Sequence, residues 1–253
     1  QRREHAEMVL SNGRHLLSVV NDILDLSKIE SGKLTLENLT CSPATIIAEA
    51  VSNAQVRARS KGLTFELRLA TPLPERIQSD PTRLRQVLLN LLANAIKFTE
   101  LGGVTLTVQL IEPPASTGRS PQLRFDIADT GIGITPEQLT RIFQPFAQAD
   151  SSTSRRFGGT GLGLAISKHL AAALGGELTV TSQPGRGSTF TLTIATGALD
   201  NVPRSTASAP LDPCPSPAGP VTASQDQPLD CTVLLAEDGP DNQRLISFLL
   251  TKA

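Results

Sequence analysis

Hydrophobic positions along this chain switch between helical spacing and strict alternation, which predicts helices and strands in turn. Residues 4–29 carry apolar side chains at intervals of three and four, which indicates one amphipathic helix. Residues 43–59 and 161–174 also show helical spacing, and Asp80-Pro81 marks the start of a further, central helix. Strands are predicted where apolar and polar residues alternate, at residues 34–37, 63–69, 104–110, 123–127, 177–181 and 188–194.

The order of these elements predicts an α+β fold, a two-layer α/β sandwich in which helices cover one face of a mixed sheet. Residues 129–160 interrupt the pattern, since they are rich in Gly, Ser, Thr and Gln and contain only one short helix start, at Thr135-Pro136. A segment this long between strong elements is more often a functional lid than an idle loop. The helix at 4–29 has no local partner, so it either joins a helix bundle or packs on the following domain.

The central helix carries a polar stripe on an otherwise apolar surface. Asn90, Asn94 and Lys97 fall on one side at 3.6 residues per turn, and Arg83 and Gln86 extend the stripe backwards. Asparagine is a poor residue for a helix interior, and a merely solvated face usually carries Glu, Lys and Gln instead. Amide oxygens suit Mg²⁺, and a lysine supplies a point charge for phosphate. The stripe therefore predicts a metal and phosphate site.

Two glycine-rich turns add candidate binding groups. Asp129 ends a predicted strand and is followed by Gly131 and Gly133, so its carboxylate can accept a hydrogen bond from an exocyclic amine such as that of adenine. An ordinary Asx turn is the alternative interpretation. Residues 158–164 place glycines at the start of a helix, where free N–H groups can cradle a phosphate. The spacing fits neither a Walker A loop nor the dinucleotide fingerprint.

Composition excludes several other classes of function. Lys plus Arg number 23 and Asp plus Glu number 24, and there is no Trp or Tyr, which argues against a nucleic-acid-binding surface. The cysteines Cys41, Cys214 and Cys231 are odd in number and lack a His pattern, so neither a disulfide framework nor a zinc site is supported. We therefore expect a reducing, cytoplasmic setting. No apolar run approaches the roughly 20 residues that span a bilayer.

The composition changes after the last predicted strand. Residues 197–230 hold seven of the eighteen prolines and few apolar residues, which predicts a flexible linker. Residues 231–236 then read as a buried strand that ends in Glu237 and Asp238, and a helix begins after them. This pattern predicts the opening βα unit of another, truncated domain.

Four motifs in this order closely resemble the ATP-binding domain of sensor histidine kinases, which shares its nucleotide fold with gyrase, mismatch-repair and heat-shock chaperone ATPases. They are an N-box at Asn90–Thr99, a first glycine box at Asp129–Ile134, an F-box at Phe143–Phe146 and a second glycine box at Gly159–Leu164. Residues 21–30 resemble the end of the second dimerisation helix, and residues 233–238 resemble the first strand of a response-receiver domain. The combination resembles the hybrid class, in which kinase and receiver share a chain.

The resemblance implies ATP and Mg²⁺ as cofactors and a role for each motif residue. Asn94, with Asn90 beside it, would bind Mg²⁺, and Lys97 would contact phosphate. Asp129 would hold the adenine amine, and Phe143 and Phe146 would anchor the lid rather than meet the nucleotide. The remaining residues implied to shape the nucleotide site are Gly131, Gly133, Ile134, Gly159, Thr160, Gly161, Leu162, Gly163 and Leu164, and Glu237 and Asp238 would be carboxylates of a receiver Mg²⁺ site.

The resemblance also implies a domain plan and partners. Residues 1–32 would be a partial dimerisation domain, 33–196 the ATP-binding catalytic domain, 197–230 the linker and 231–253 the start of a receiver. The implied partners are a second copy that pairs through the N-terminal helix bundle, a phosphoacceptor histidine helix, and a receiver in cis or a response regulator in trans. Nucleic acid is not among them. A cytoplasmic location is expected, and a membrane tether outside this chain stays open.

The chain departs from the family pattern at both phosphorylation sites. The phosphoacceptor histidine of the family is followed by an acid, whereas His5 is followed by Ala6 and His15 by Leu16. The receiver-like piece ends before the strand that would carry an acceptor aspartate. We therefore expect a protein-histidine kinase domain that binds ATP while its acceptors lie elsewhere. The alternatives are a nucleotide-binding module that regulates a partner without phosphate transfer and, more remotely, a chaperone- or topoisomerase-type ATPase.

Overall fold

The computed structural model describes the part of the chain that holds most of the predicted elements, namely residues 13, 16–17, 19–29, 31–113, 120–147, 161–199 and 201–205. His5, His15, Gly159 and Thr160 lie outside the described residues, as does the receiver-like piece with Glu237 and Asp238. Within the described residues, no helix has both the length and the apolar character needed to cross a membrane.

A five-stranded mixed sheet forms the centre of the fold. In chain order the elements are α1 (19–29), β1 (Leu39–Cys41), α2 (Pro43–Ser60), β2 (Thr64–Leu69), β3 (Leu73–Pro74), β4 (Ile77–Ser79), α3 (Pro81–Phe98), β5 (Gly103–Ile111), β6 (Gln122–Asp129), α4 (Pro136–Leu139), α5 (Gly163–Ala173), β7 (Leu178–Gln183), β8 (Gly187–Ala195) and β9 (Arg204–Ser205). The strands of the sheet run in the order β2-β5-β6-β8-β7, with β2 and β5 parallel and every other neighbouring pair antiparallel.

Strict alternation of burial along the sheet explains why the helices cover one face. Every second side chain of β5, β6 and β8 is buried, whereas the residues between them are only half-buried. The buried set consists of Val104, Leu106, Val108, Leu110, Leu123, Phe125, Ile127, Phe190, Leu192 and Ile194. Helices α2, α3 and α5 pack against the sheet and one another, and they bury this set in one core. The predicted α+β fold is confirmed.

Helix α3 lies in the middle of this layer, and its start is the one that the sequence predicts. The Asp80 side chain accepts hydrogen bonds from the backbone N–H groups of Thr82 and Arg83, both at 3.0 Å, and Pro81 occupies the first turn. Along the buried face, Leu84 and Leu88 have no exposed surface, and Leu91 and Leu92 are equally enclosed. This packing fixes the rotation of α3 and therefore the direction of its polar stripe.

The strand predicted at residues 34–37 is wrong, because residues 33–38 form no strand. Leu34 and Leu36 both pack against the core, which explains the alternation, but the segment has no ladder partner. The backbone N–H of Glu37 donates instead to the Asp80 side chain at 3.1 Å. Pairing begins two residues later, where β1 joins β4 in antiparallel register. The alternation of apolar residues at 34–37 therefore predicted the burial of Leu34 and Leu36 correctly, but it predicted strand pairing incorrectly.

The C-terminal end of α1 packs on the domain that follows it. Asp25 accepts hydrogen bonds from Arg83 at 3.0 Å and from Gln86 at 2.9 Å, and Leu26 is buried in the core. Farther towards the N-terminus the apolar side chains Leu16, Leu17, Val20, Ile23 and Leu24 are exposed. The C-terminal end of the helix therefore packs on the domain, as one of the two interpretations expects, whereas its place in a helix bundle stays a prediction.

The first residues of the predicted linker continue the fold. Strand β9 pairs antiparallel with β3, and the backbone N–H of Glu75 donates to the Pro203 carbonyl at 2.9 Å. Arg204 forms an ion pair with Glu112, in which its Nη1 lies 2.8 Å from Oε2. Residues 197–199 and 201–205 therefore belong with the domain in the described structure, and the linker beyond them stays a prediction.

Candidate functional site

The polar stripe of α3 faces the start of α5. The Asn90 side chain donates from Nδ2 to the Ser167 hydroxyl at 2.8 Å, and Asn94 Nδ2 lies 3.4 Å from Asn90 Oδ1. Ser167 is buried on α5, so Asn90 connects the two helices. In this arrangement Asn94 donates through its nitrogen, and its amide oxygen is the stripe's candidate ligand for a hard cation.

A glycine permits the close contact between these helices. A Cβ atom on Gly163 would lie 2.5 Å from Asn90 Oδ1, a distance that real side chains do not adopt. Helix α5 begins at this residue, and within the described residues its N-cap residue, Leu162, makes no side-chain cap hydrogen bond. The N–H groups at a helix start can bind an anion such as phosphate. The start of α5 is therefore a candidate anion-binding element beside Asn90 of α3.

The second glycine box also contacts the F-box. Gly161 has φ of +72°, and a Cβ there would lie 2.9 Å from the Phe146 carbonyl carbon. Phe143 packs against the core beneath the Lys168 ammonium group, which lies 4.6 Å from the ring centroid. Phe146 is 66% exposed. The expected anchoring role therefore fits Phe143 in the described structure, whereas the Phe146 side chain projects outward.

Asp129 stands where β6 leaves the sheet. It pairs with Val104 of β5 on one side and Ser188 of β8 on the other, so its backbone is held from both directions. The Gly131 N–H donates to Asp129 Oδ1 at 2.8 Å. Burial raises the pKa of the Asp129 carboxyl, and the backbone hydrogen bonds from Gly131 and Ser188 oppose this shift. The hydrogen bond from Gly131 is that of an Asx turn, so the alternative interpretation of this motif is present in the structure. A buried carboxyl with a raised pKa is also a candidate functional group, and its role in binding stays a prediction.

The turn after Asp129 is wedged between α3 and the β7–β8 connection. A Cβ on Gly131 would lie 2.4 Å from the Phe98 carbonyl oxygen, and the Ile132 N–H donates to the same oxygen at 3.3 Å. Gly133 has φ of +69°, and a Cβ there would lie 2.1 Å from the Gln183 carbonyl oxygen. Ile134 donates its N–H to Ser182 Oγ at 2.8 Å. Both glycines are therefore required by backbone contacts on either side.

Lys97 lies one turn beyond Asn94, near the end of α3. Burial lowers the pKa of its ammonium group, which sits 4.7 Å above the centroid of the Phe98 ring.

The leucines of the second glycine box are buried or packed on the core. Leu162 is only 1% exposed, so it can reach a ligand only through its backbone. Leu164 packs against the core in the same helix.

The structure adds residues that the motifs did not include. Ser167 follows Gly163 by one helical turn and holds Asn90, and Ser182 holds the turn at Ile134. Ser167 lies four residues after Gly163, so the two share one face of the helix, and this spacing could have indicated Ser167 from the sequence. Ser182 lies far along the chain from Ile134, and nothing local indicates it.

A cleft of about 570 Å³ lies between α1, α3 and α5, beside the stripe. Asn90 and Gly163 line both this cleft and the candidate site, and Leu17, Asn21 and Gln86 also line the cleft. Among the described residues, no three His, Cys, Asp or Glu side chains form a metal-binding group. The stripe itself offers amide oxygens, which suit Mg²⁺ better than a metal that prefers thiolate or imidazole ligands.

Comparison with known proteins identifies relatives for this part of the chain. Residues 79–197 match the family described as Histidine kinase-, DNA gyrase B-, and HSP90-like ATPase. The signal transduction histidine-protein kinase BarA of Escherichia coli (strain K12) is 42% identical over 188 residues, which cover 74% of this chain and 20% of BarA. The circadian input-output histidine kinase CikA of Synechococcus elongatus is 37% identical over 241 residues, 92% of this chain and 30% of CikA. The chain thus spans 20% of BarA and 30% of CikA.

A solved structure supports the same fold. Full-length ShkA in complex with AMPPNP matches with a TM-score of 0.64 and 36% identity, over 78% of this chain and 39% of ShkA. Helix α3, the turn after Asp129 and the start of α5 all lie within residues 79–197. The candidate site is therefore built from the part of the chain that the family match covers.

The raised pKa of Asp129 gives a prediction about stability and pH. Between the ordinary pKa of an aspartate and the raised value, the folded protein binds more protons than the unfolded chain, so the free energy of unfolding falls as pH rises through this range. We expect Asp129→Asn to be more stable than the wild-type chain at pH 7, with an advantage that shrinks as the pH falls through this range. Urea unfolding from pH 3 to 7 measures this, and an advantage that does not depend on pH would contradict it.

Proposed function

Since residues 79–197 match the family described as Histidine kinase-, DNA gyrase B-, and HSP90-like ATPase, we propose that the chain binds ATP with Mg²⁺ as the catalytic domain of a sensor histidine kinase. The observation that carries this proposal is that the start of α5 and the turn after Asp129 both contact helix α3. The stripe of α3, this turn and the start of α5 supply an amide oxygen, a carboxylate and backbone N–H groups. These are the groups that ATP with a divalent cation requires.

The turn after β6 would hold the adenine. A carboxylate has two oxygens with about four acceptor positions, so Asp129 can bond the Gly131 N–H and still accept from an exocyclic amine. Gly131 and Gly133 have no side chain, so a ligand can approach the backbone of this turn closely, and Ile134 follows them along the same side of the proposed site. Because the turn is braced by Phe98 and Gln183, the carboxylate is in place before the ligand arrives, which reduces the entropy cost of binding.

The other end of the site would hold the phosphates. Asn94 would bind Mg²⁺ through its amide oxygen, and Asn90, which is occupied with Ser167, would chiefly hold α5 in place. Lys97 would contact a phosphate as a point charge. The start of α5 at Gly163, continued by Gly159, Thr160, Gly161, Leu162 and Leu164 of the glycine box, would close over the phosphate chain with backbone N–H groups. The bound cation would supply neutralisation of phosphate charge.

The reaction is the transfer of the γ-phosphoryl group from ATP to a histidine. The bond between the γ-phosphorus and the bridging oxygen breaks, a bond to an imidazole nitrogen forms, and ADP leaves. The protein contributes positioning and charge neutralisation rather than covalent chemistry. The acceptor histidine would come from a helix outside the four motifs, and the phosphoryl group would pass onward to a receiver aspartate in the same chain or in a response regulator.

The apolar face of α1 supports the expected dimer. Val20, Ile23 and Leu24 are about half exposed, while Leu26 on the same helix is buried in the domain. A helix that docks at one end and leaves this face exposed fits a helix bundle formed with a second copy. The alternative function is an ATP-binding regulatory module without transfer, which is favoured by the absence of an acid after His5 and His15.

The adenine assignment predicts the effect of one isosteric substitution. Asp129→Asn would offer an amide donor where the adenine amine needs an acceptor, so we expect ATP affinity to fall about 10- to 100-fold. A fluorescent-nucleotide titration measures this change. Asp126→Asn is the matched control, since Asp126 lies on the same strand and pairs with Arg124 and Thr191 instead. Wild-type affinity in Asp129→Asn would remove Asp129 from the site.

The metal assignment predicts a loss of Mg²⁺ dependence. Asn94→Ala removes the amide oxygen, so ATP binding should become weaker with Mg²⁺ and nearly insensitive to its removal by a chelator. Calorimetric titrations with and without Mg²⁺ make the comparison. Asn53→Ala, at an exposed position of α2, should behave like the wild-type chain. If Asn94→Ala keeps the full effect of Mg²⁺, the cation is bound elsewhere.

Phosphoryl transfer can be tested in trans. We expect label from [γ-³²P]ATP to pass to a separate dimerisation domain that carries a histidine followed by an acid, in an acid-labile bond, and Asp129→Asn to slow the transfer in parallel with its weaker binding. ATP binding is measured on the same sample. Binding without any transfer would favour the regulatory-module alternative.

A further inference from the structure

The end of α3 is held by a side chain from another helix. An α-helix leaves its last four carbonyl oxygens without partners inside the helix. Lys61 Nζ, which comes from the C-terminal end of α2, donates to the carbonyl oxygens of Ile96 and Lys97, both at 2.7 Å, and of Thr99 at 2.8 Å. An ammonium group has three donors, and here each has a carbonyl partner. These charge-assisted bonds, next to the negative end of the helix dipole, are of the stronger kind.

The two remaining carbonyl groups of the last turn are also occupied. Thr99 donates from Oγ1 to the Ala95 carbonyl at 2.7 Å. The Phe98 carbonyl accepts the Ile132 N–H at 3.3 Å and lies in the place that a Cβ on Gly131 would need. The last carbonyl groups of α3 are thus divided among Lys61, Thr99 and the glycine turn that follows Asp129.

A continuous set of contacts therefore joins Lys61 to the carboxylate of Asp129. Lys61 donates to the carbonyl groups of Lys97 and Thr99, the two residues next to Phe98 in the sequence. The Phe98 carbonyl accepts the N–H of Ile132, and the N–H of the preceding residue, Gly131, donates to Asp129 Oδ1 at 2.8 Å. Lys61 is itself held at the end of α2, where its N–H donates to the Ala58 carbonyl at 3.1 Å.

We propose that Lys61 is a positioning residue for the adenine end of the site, acting through the Phe98 carbonyl and the Gly131–Ile132 turn on Asp129. This inference rests on the proposed function, because it gives Asp129 the role of adenine acceptor. It adds a residue that lies outside all four motifs, on a helix that supplies no other group to the site. Without the ammonium group, the carbonyl groups of Ile96, Lys97 and Thr99 lose their shared partner, and the turn on the neighbouring carbonyl loses its fixed support.

The test compares ATP with inosine triphosphate, which carries a keto oxygen in place of the adenine amine. A well-placed Asp129 carboxylate favours ATP, so the ratio of the two affinities reports the position of that carboxylate. We expect Lys61→Met to weaken ATP binding about 5- to 20-fold, about 1–2 kcal/mol, and to bring the ratio of affinities closer to one. Lys61→Arg, which keeps the positive charge and the donors, should recover most of the ratio. Lys33→Met, at an exposed position, is the matched control.

The outcomes separate a positioning role from a structural one. A residue that only stabilises the fold would lower the urea midpoint in Lys61→Met and leave the ratio of affinities at its wild-type value, and that result overturns the inference. If Lys61→Met does not fold, Lys61→Gln, which keeps one amide donor, is judged by the same ratio. A wild-type chain that binds no ATP overturns the proposed function and this inference together, whereas an unchanged ratio in an ATP-binding variant overturns the inference alone.

Discussion

The rotation of α3, set by burial of its leucines against the sheet, is the constraint on which the other parts of the molecule rely. Leu84 and Leu88 have no exposed surface, so the helix cannot turn about its axis without opening the core. The polar stripe on the other side of α3 then contacts neighbouring elements one after another along the helix. Arg83 binds α1, Asn90 binds α5, and the carbonyl groups after Ala95 bind Lys61 and the turn after Asp129. One packed helix thus holds together elements that are far apart in the sequence.

Close backbone approach is the second condition for the site, and it explains the glycines. At Gly131 and Gly163 the neighbouring atoms stand 2.4–2.5 Å from where a Cβ would lie, although neither residue has a positive φ. Because these residues have no side chain, the turn can approach the Phe98 carbonyl and α5 can approach Asn90 closely. In the turn that contains Gly131, burial raises the pKa of the Asp129 carboxyl. The protein therefore accepts an unfavourable charge where the proposed adenine contact needs one, as functional sites commonly do.

Much of the fold, and the side of α3 that carries the site, could be predicted from local pattern alone. The alternation of β5 and β6 and the cap at Asp80 act within a few residues, so the sequence displays them directly. Alternation failed at residues 34–37, because burial of Leu34 and Leu36 requires no strand partner. Lys61, Ser167 and Ser182 were missed because their partners are distant in the chain and ordinary in type. Pairing of β9 with β3 was hidden by a composition typical of a linker.

The proposed function requires the stripe of α3 and the two glycine turns to form one site for ATP with Mg²⁺. A crystal structure of this chain with a non-hydrolysable ATP analogue and Mg²⁺ would show whether they do. We expect the adenine amine at about 3 Å from an Asp129 carboxylate oxygen and Asn94 Oδ1 at about 2.1 Å from the cation. A nucleotide bound instead in the cleft between α1, α3 and α5, or an adenine away from Asp129, would contradict this assignment.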